Sequence, residues 1–242
     1  MRFMLKKAYR QICLLSLLLF GHNLSFAAQS QMDFAGLFAQ QATTSELTQL
    51  TQLLTASPQA KGEFTQYRYL KVLKQPLVSK GSFVFSKPLG IVWQQRSPFS
   101  NTLILQAGSH TQIDSQGQMQ VSKAQQSNHS SQLAQLMPTV LKALLSGDLQ
   151  TLQQHFSLSV QHASNNEQPW QLGLTPLDPM LQKAMPRLVL IGAKQIQTLI
   201  IYSDAKDHSR IEFSAIDEQV LTAQDLARFS PAQPHAKPRE IQ

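Results

Sequence analysis

Short segments in which every second residue is large and apolar dominate this chain and constrain its fold more than any other feature. In the segment 80–86, Phe83 and Phe85 fall on one side of an extended chain, whereas Ser82 and Val84 fall on the other, because successive side chains of a strand point to opposite faces. The pattern predicts a sheet with one strongly hydrophobic face. The positions on this common side are Phe64, Phe83, Phe85, Ile91, Trp93, Leu103, Leu105, Trp170, Leu172, Leu174, Leu188, Leu190 and Phe213.

Turns rich in Gly, Pro and Asp divide the sequence into about six strands, a helical middle and about five further strands. The first six are predicted at 62–72, 80–86, 91–95, 101–106, 110–114 and 119–122, and the last five at 156–161, 170–174, 187–190, 195–202 and 209–215. Short turns between successive strands indicate antiparallel pairing. The fold class predicted is therefore mainly β with α (α+β).

Leucines at three- and four-residue steps predict a helix at 44–55, with Thr44 or Ser45 as its N-cap. The middle of the chain, 131–145 and 149–155, has the same helical spacing, and shorter helices are predicted at 177–184 and 222–226. A helical insert between two runs of strands can lie over one face of a curved sheet. We expect 131–155 to form part of such a cover.

The first 27 residues have the pattern of a secretory signal peptide. A basic start, an apolar run at 12–20 and small residues at Ser25 and Ala27 support cleavage after Ala27. The apolar run is shorter than the roughly 20 residues that span a bilayer. We therefore expect a signal peptide at 1–27, one domain at 28–230, a flexible tail at 231–242 and export to the periplasm.

Composition excludes several classes of protein. Four of the 21 basic residues lie in the first ten positions, and their removal leaves 17 bases against 14 acids, a net charge of +3. The remaining bases are scattered, unlike the clustered bases of a nucleic-acid-binding surface. The one cysteine, Cys13, lies in the leader. A mature chain would thus lack disulfides, thiolate metal sites and cysteine nucleophiles.

Catalytic signatures are missing from the sequence. It contains no G-x-S-x-G, H-E-x-x-H, P-loop or G-x-G-x-x-G motif. The histidines have no close metal-ligand spacing, and the acidic residues lie in predicted turns or at strand ends, as at Asp204, Asp207 and Asp217. We expect no enzyme activity, no metal and no cofactor. A hydrolase site assembled from distant residues stays open as an alternative.

The apolar sheet face has two interpretations that the residue pattern leaves open. One is an ordinary core, in which the helices of the chain fill the space against the sheet. The other is an apolar cavity between a curved sheet and a helical lid, since such cavities with few polar groups are how acyl chains are held.

Several motifs resemble the LolA-type outer-membrane lipoprotein carriers, and most closely a divergent branch of LolA-like proteins. An F-x-Q segment beginning at Phe64 is followed by P-L-x-S-x-G-x-F beginning at Pro76 and G-x-x-W ending at Trp93. The matching segments follow in family order and cover nearly the whole predicted mature chain: 62–66, 76–85, 87–93, 97–99, 144–148, 170–176, 196–202 and 210–213.

The resemblance implies an unclosed antiparallel β-barrel with a helical lid over an apolar cavity, and a periplasmic carrier without catalysis. In the classical system the donor is an inner-membrane ABC-type transporter and the acceptor is an outer-membrane receptor. A monomer that carries lipoproteins is expected. Because the divergent branch is also associated with other lipidic products such as aryl-polyene lipids, a non-lipoprotein lipid cargo and a cargo-free periplasmic scaffold remain alternatives.

The candidate site is the wall of the implied cavity. The residues expected to line it are Phe64, Phe83, Phe85, Trp93, Leu103, Trp170, Leu172 and Phe213. Lys87 stands where the classical carrier has an arginine that bonds the lid, so the resemblance implies a lid contact there. Lysine keeps the charge but lacks the planar fork of donors that arginine offers.

Overall fold

One antiparallel sheet organises the computed structural model, which describes residues 34–54, 57–123, 142–143, 146–161, 169–203 and 207–231. Among these residues the sheet has eleven strands: β1 Gln59–Tyr69, β2 Leu77–Ser86, β3 Gly90–Ser97, β4 Asn101–Gln106, β5 Ser109–Ile113, β6 Met119–Lys123, β7 Phe156–Gln161, β8 Trp170–Pro176, β9 Arg187–Gly192, β10 Ile196–Tyr202 and β11 His208–Asp217.

The strand order is β6-β5-β4-β3-β2-β1-β11-β10-β9-β8-β7. Two meanders, β1–β6 and β7–β11, are thus joined at the centre by the pairing of β1 with β11, in which Phe64 lies opposite Phe213. In the described part of the chain β6 and β7 are the two free edges, so the sheet is not closed. The predicted fold class, an unclosed antiparallel barrel built from six strands and then five, is confirmed.

Strand β1 differs from its prediction by three residues at each end. It begins at Gln59, which pairs with Ser86, and it ends at Tyr69, which pairs with His208. The predicted residues 70–72 instead enter the β1–β2 turn. The ladder partners on both sides, and not the local apolar pattern, set these limits.

The β2–β3 turn depends on Gly90, whose φ of 114° is rarely adopted by other residues. A Cβ atom at Gly90 would also collide with the backbone carbonyl of Leu105 on β4. Glycine therefore permits both the β2–β3 turn and the close approach of β3 and β4.

Four helices accompany the strands in the described residues: α1 Thr44–Leu53, α2 Leu149–Gln153, α3 Pro179–Ala184 and α4 Ala223–Ala227, with a 3-10 turn at Gly36–Phe38. The predicted N-cap of α1 was wrong. Thr43, not Thr44 or Ser45, caps the helix: its side chain accepts a hydrogen bond from Glu46 N, and Glu46 Oε2 accepts from Thr43 N at 2.7 Å. This capping box satisfies backbone donors that would otherwise lack a partner.

The two faces of the sheet have different neighbours. The face that carries Phe64 and Trp170, here called the inner face, packs against α1, α2 and α3. The opposite, outer face is covered in two separate places. The turn at Gly36–Phe38 packs on Val189 and Ile191, and the segment around α4 packs on Val84 and Val92.

Candidate binding site

All eight predicted cavity-wall residues lie on the inner face. They divide between two neighbouring apolar clusters, and Trp93 and Phe213 pack against both. The register explains this placement: Phe83 lies opposite Trp93, and Trp93 lies opposite Leu103. Because directly paired residues of adjacent strands point to the same face, one alternation in sequence produces one continuous apolar surface. Their role in binding a ligand stays a prediction.

Four aromatic rings meet at the centre of the inner face. Phe64 stacks on Trp93 with ring centroids 3.8 Å apart and an interplanar angle of 21°. Phe213 meets Phe83 edge to face at 5.6 Å and Trp93 at 6.2 Å. Such pairs stabilise an arrangement beyond their burial by about 0.5–1.5 kcal/mol each. These rings come from β1, β2, β3 and β11, so they tie the two meanders together.

Gly81 is a site residue that the pattern of apolar positions missed. It pairs with Phe64 across β1 and β2, and a Cβ atom there would lie 2.6 Å from the Phe64 ring. The absence of a side chain at Gly81 therefore makes the space that this ring fills. A glycine two residues before an inward phenylalanine, as in Gly81-Ser82-Phe83, was the available signal in the sequence.

Helices of the chain itself cover much of the inner face. Each of the three contributes apolar side chains to the same cluster as Phe64 and Trp170: Leu47 and Leu50 from α1, Leu149 and Leu152 from α2, and Leu181 from α3. The residues next to the free edges are Lys123, at the end of β6, and Phe156, at the start of β7. The connection that carries α2 thus links the two edges of the sheet.

The predicted lid, 131–155, belongs to this connection. Its residues 131–141 and 144–145 lie outside the described residues. In the described part, Ala143, Leu149 and Leu152 are buried in the inner-face cluster. The apolar side of the insert is therefore turned toward the sheet at these positions.

Two cavities border the inner face. One, of about 30 Å³, is lined by Phe83, Phe213, Leu54 and Ile196. The other, of about 370 Å³, lies between the turns that follow β2 and β4 and the residues before α2. The first is far below the roughly 300–1,000 Å³ of sites that bind small molecules, and the second falls within that range.

Lys87 lies in the turn between β2 and β3 and lines the larger cavity. Its backbone N–H donates to the carbonyl of Pro58 at 2.8 Å. Its ammonium group contributes to the electrostatic environment of Asp148, the N-cap of α2. The position that the resemblance assigned to a lid contact is therefore next to the segment that covers the inner face.

Asp148 is fixed by hydrogen bonds at the start of α2. Its Oδ1 accepts from the backbone N–H of Thr151 at 3.0 Å, and its Oδ2 accepts from the Thr151 hydroxyl at 2.6 Å. These bonds, aided by the charge of Lys87, hold the pKa of Asp148 below its ordinary value of 3.8 despite some burial. The carboxylate is thus ionised at neutral pH.

The indole of Trp170, on the inner face, has a hydrogen-bond partner of its own. The Trp170 indole N–H donates to the carbonyl of Ala193 at 2.6 Å, so this buried ring has no unsatisfied donor. Within the described ranges no group of three or more His, Cys, Asp or Glu side chains is placed to hold a metal ion. Nor is any helix there long and apolar enough to cross a membrane.

Comparisons with known proteins agree with the resemblance found in the sequence. Residues 39–207 match the family described as outer membrane lipoprotein carrier protein LolA-like. No curated protein matches the chain.

Several solved structures are similar in fold. A LolA superfamily protein from Nitrosomonas europaea aligns with a TM-score of 0.41 and 9% identity, over 77% of this chain and 97% of that chain. A DUF1329 family protein from Desulfovibrio piger gives 0.41 and 11%, over 76% and 94%. The MucA/MucB complex of Pseudomonas aeruginosa gives 0.40 and 14%, over 75% of this chain and 59% of that chain.

The family match extends over most of the chain and includes α1, all strands from β1 to β10 and the segment that carries α2. LolA-like proteins are binding and carrier proteins of lipids or lipoproteins rather than enzymes. The chain belongs to the family of LolA-like outer membrane lipoprotein carrier proteins.

Proposed function

We propose that this protein is a periplasmic carrier that binds the acyl chains of lipoproteins, or of a related lipid, against the inner face and moves them from the inner to the outer membrane. The observation that carries the proposal is the continuity of this face. Its aromatic centre at Phe64, Trp93 and Phe213 connects the apolar side chains of both meanders. A continuous apolar strip is what a long hydrocarbon chain needs along its whole length.

Binding by this surface requires the cover to move. The inner-face cavity beside Phe83 and Phe213 is about 30 Å³, too small for an acyl chain, and leucines of α1 and α2 are packed into the neighbouring inner-face cluster. Each methylene transferred from water gains about 0.8 kcal/mol, which can drive the exchange of a leucine contact for a cargo contact. The same exchange in reverse helps to release the cargo, since the helices compete with it for the sheet.

A helical cover suits a carrier that must pass its cargo onward. A ligand shifts the population of an open state only by its difference in affinity between open and closed states. We infer that cargo favours the open state, and that an acceptor that binds the cargo more tightly returns the helices to the sheet. Lys87, beside Asp148, is our candidate for a contact that holds the closed state.

The proposal also specifies the partners of the carrier, its export and its domain limits. The donor would be an inner-membrane ABC-type or other exporter and the acceptor an outer-membrane receptor. The chain would be exported by cleavage of residues 1–27, act as a monomer and perform no catalysis. The domain would extend over 28–230 with a tail at 231–242. An aryl-polyene-type lipid is the alternative cargo.

A cargo-free periplasmic scaffold is the second candidate function. It is favoured by the tight packing of the inner face, where Phe64, Leu174 and Leu188 are each at most 1% exposed. In this case the helices would never leave the sheet, and the inner face would be an ordinary core.

Native mass spectrometry of the mature protein, purified from its own membrane-containing host, tests the carrier proposal. A co-purifying acylated species supports it, and the mass of that species separates a lipoprotein from another lipid. An apo mass together with no uptake of an added lipopeptide or fluorescent fatty acid would favour the scaffold.

A matched pair of variants makes the test specific to the inner face. Leu103 and Ile113 are both partly buried aliphatic residues on neighbouring strands, but Leu103 belongs to the inner face and Ile113 to the outer face. We expect Leu103→Ala to weaken uptake of a fluorescent fatty acid and Ile113→Ala to leave it unchanged. Equal effects would contradict binding on the inner face.

A further inference from the structure

The larger cavity differs in character from the rest of the inner face. Its volume is about 370 Å³, and it lies where the β2–β3 turn, the β4–β5 turn and the segment before α2 meet. Residues 87–91 and 105–110 form one side of it, and Lys142, Ser146 and Asp148 are among those on the other. The proposed acyl-binding surface does not by itself explain a cavity with so many polar groups.

The floor of this cavity is continuous with the inner face. Ile91 and Leu105 line the cavity, lie directly opposite each other on β3 and β4, and belong to the apolar cluster that contains Phe83 and Phe85. Phe85 is also paired with Ile91 across β2 and β3. An apolar chain that starts in the cavity would therefore pass without a break onto the aromatic wall.

The rim of the cavity carries an excess of positive charge. Two ammonium groups, those of Lys87 and Lys142, line it, and one carboxylate, that of Asp148, opposes them. Both oxygens of Asp148 already accept hydrogen bonds from Thr151, so this carboxylate is held at the start of α2. Lys142 forms no ion pair with a described residue. His110 and Ser109 add further polar groups to the same rim.

We propose that this cavity binds the anionic headgroup of an amphiphilic cargo, with an oxyanion such as a phosphate or a carboxylate held between Lys87 and Lys142 and the apolar chain lying over Ile91 and Leu105. The inference rests on the proposed carrier function and adds the chemical class of the cargo. A lysine ammonium binds phosphate as a point charge with several donors. Next to an apolar floor, such a contact is less screened than in bulk water.

Displacement of a fluorescent neutral probe, N-phenyl-1-naphthylamine, by ligands with the same ten-carbon chain tests this inference. The ligands are decyl phosphate, decanol and decyltrimethylammonium, each below its micelle concentration. We expect decyl phosphate to bind about tenfold more tightly than decanol, equivalent to about 1.4 kcal/mol, and the ammonium ligand to bind most weakly. The preference should shrink as salt is raised, because screening weakens exposed charge contacts.

Variants identify the site of the preference. In Lys87→Gln with Lys142→Gln the preference, measured as the ratio of the decyl phosphate and decanol affinities, should fall to about twofold or less, because the charge-assisted contacts are lost. A shift between the closed and open states would change both affinities together and would cancel in this ratio. Lys87→Arg with Lys142→Arg should keep the preference, because the positive charge at both positions is retained. Lys74→Gln is the matched control: Lys74 is an exposed lysine of the β1–β2 turn, at the opposite end of β2 from Lys87.

The outcomes separate the two proposals. Equal binding of all three ligands would overturn the headgroup site and leave the acyl carrier standing. No displacement by any ligand would overturn both. Inorganic phosphate serves as a competitor without an acyl chain. We expect that it does not affect the binding of decyl phosphate. Competition by phosphate at the same concentration would mean a free-anion site and would overturn the inference, as would an equal loss in Lys74→Gln.

Discussion

The inner and outer faces of the sheet are both apolar, but they are covered in different ways. The inner face is a continuous surface that passes through Trp93 and Phe213 and is met by leucines of three helices. The outer face has two separate patches. The turn at Gly36–Phe38 covers one of them, and the segment around α4 covers the other. Under the proposed function the cargo lies on the continuous inner face, because two small separate patches are too short for a long hydrocarbon chain.

The outer covers are fastened to the sheet by side-chain polar contacts as well as by apolar packing. Lys61 Nζ pairs with Asp225 Oδ2 at 3.0 Å, and Arg228 donates to Ser82 Oγ at 3.2 Å and Gln94 Oε1 at 3.1 Å. The guanidinium of Arg187 lies 4.6 Å from the centre of the Phe38 ring. Hydrogen-bonded side chains specify one geometry more strictly than apolar packing does. The difference teaches that two equally buried apolar faces can be held by different kinds of contact.

The largest effect in this comparison is expected for Phe64→Ala. The ring is 1% exposed, stacks on Trp93 and fills the space above Gly81, so its removal leaves a cavity at the centre of the inner face. We expect a loss of about 3–5 kcal/mol in the free energy of unfolding. Urea denaturation measures it, with the outer-face variant Val84→Ala expected to cost less. A loss below about 1 kcal/mol for Phe64→Ala would mean that the ring is not packed as described.

The two covers can be loosened separately with Leu152→Ala in α2 and Leu221→Ala beside α4. Both leucines are buried, on the inner and outer faces respectively. Each change is expected to cost about 2–5 kcal/mol at its own contact. Only Leu152→Ala should increase binding of an apolar fluorescent dye, because it frees part of the continuous strip. Equal dye binding by both variants would remove the distinction between the faces.

Two capping boxes offer a finer comparison. Thr43 with Glu46 caps α1 on the inner face, and Thr222 with Asp225 caps α4 on the outer face. Thr43→Ala and Thr222→Ala should each lower stability by about 1 kcal/mol. Stopped-flow exchange of a fluorescent fatty acid should become faster only in Thr43→Ala, since α1 competes with cargo. Unchanged exchange in that variant would show that α1 stays in place while cargo binds.

The smallest effect is expected in acid. The pKa of Asp148 lies below 3.8 because of its bonds to Thr151, and that of Asp225 lies below 3.8 because bonds to Lys61 and Thr222 outweigh the opposing effect of burial. A depressed carboxylate pKa in the folded state stabilises the fold above the ordinary pKa, and this contribution is lost as the pH falls below about 4.

Asn substitutions test this dependence on each side of the sheet. Asp148→Asn and Asp225→Asn should each flatten the fall in unfolding free energy between about pH 4 and pH 2, measured by urea denaturation at several pH values. Hydrogen exchange should locate the first effect at α2 and the second at α4. Curves parallel to that of the unchanged protein would show that neither carboxylate contributes.

Much of the fold was predictable because its signals are local. A strand repeats every two residues, so the alternation at Phe83, Phe85 and Trp93 predicted both the strands and the side of the sheet on which these residues lie. The ranges of β4 and β7 agreed with the predictions to the residue. The Thr43 cap was also signalled, since Glu46 follows three positions later, but three adjacent hydroxyl residues made the choice ambiguous.

For the candidate site, the sequence predicted only the face of the sheet on which the apolar side chains lie. The pattern put eight apolar side chains on one face, and the structure places them there. The glycine two residues before Phe83 was a signal of a close approach, but the pattern did not identify Phe64 as the ring that fills the space, nor did it show that Lys87 and Asp148 lie at one cavity. These relations join residues far apart in the chain, and no local period encodes them.

The sequence by itself determined the strands, their alternation and the family, because each depends on residue types at short, fixed spacing. Only the tertiary structure decided that β1 pairs with β11, and which residues of the inner face the described part of the connection between the sheet edges contacts. The pairing of β1 with β11 brings together residues nearly 150 positions apart, such as Phe64 and Phe213. Such contacts form only when the burial of the whole apolar face offsets the entropy of closing a long loop.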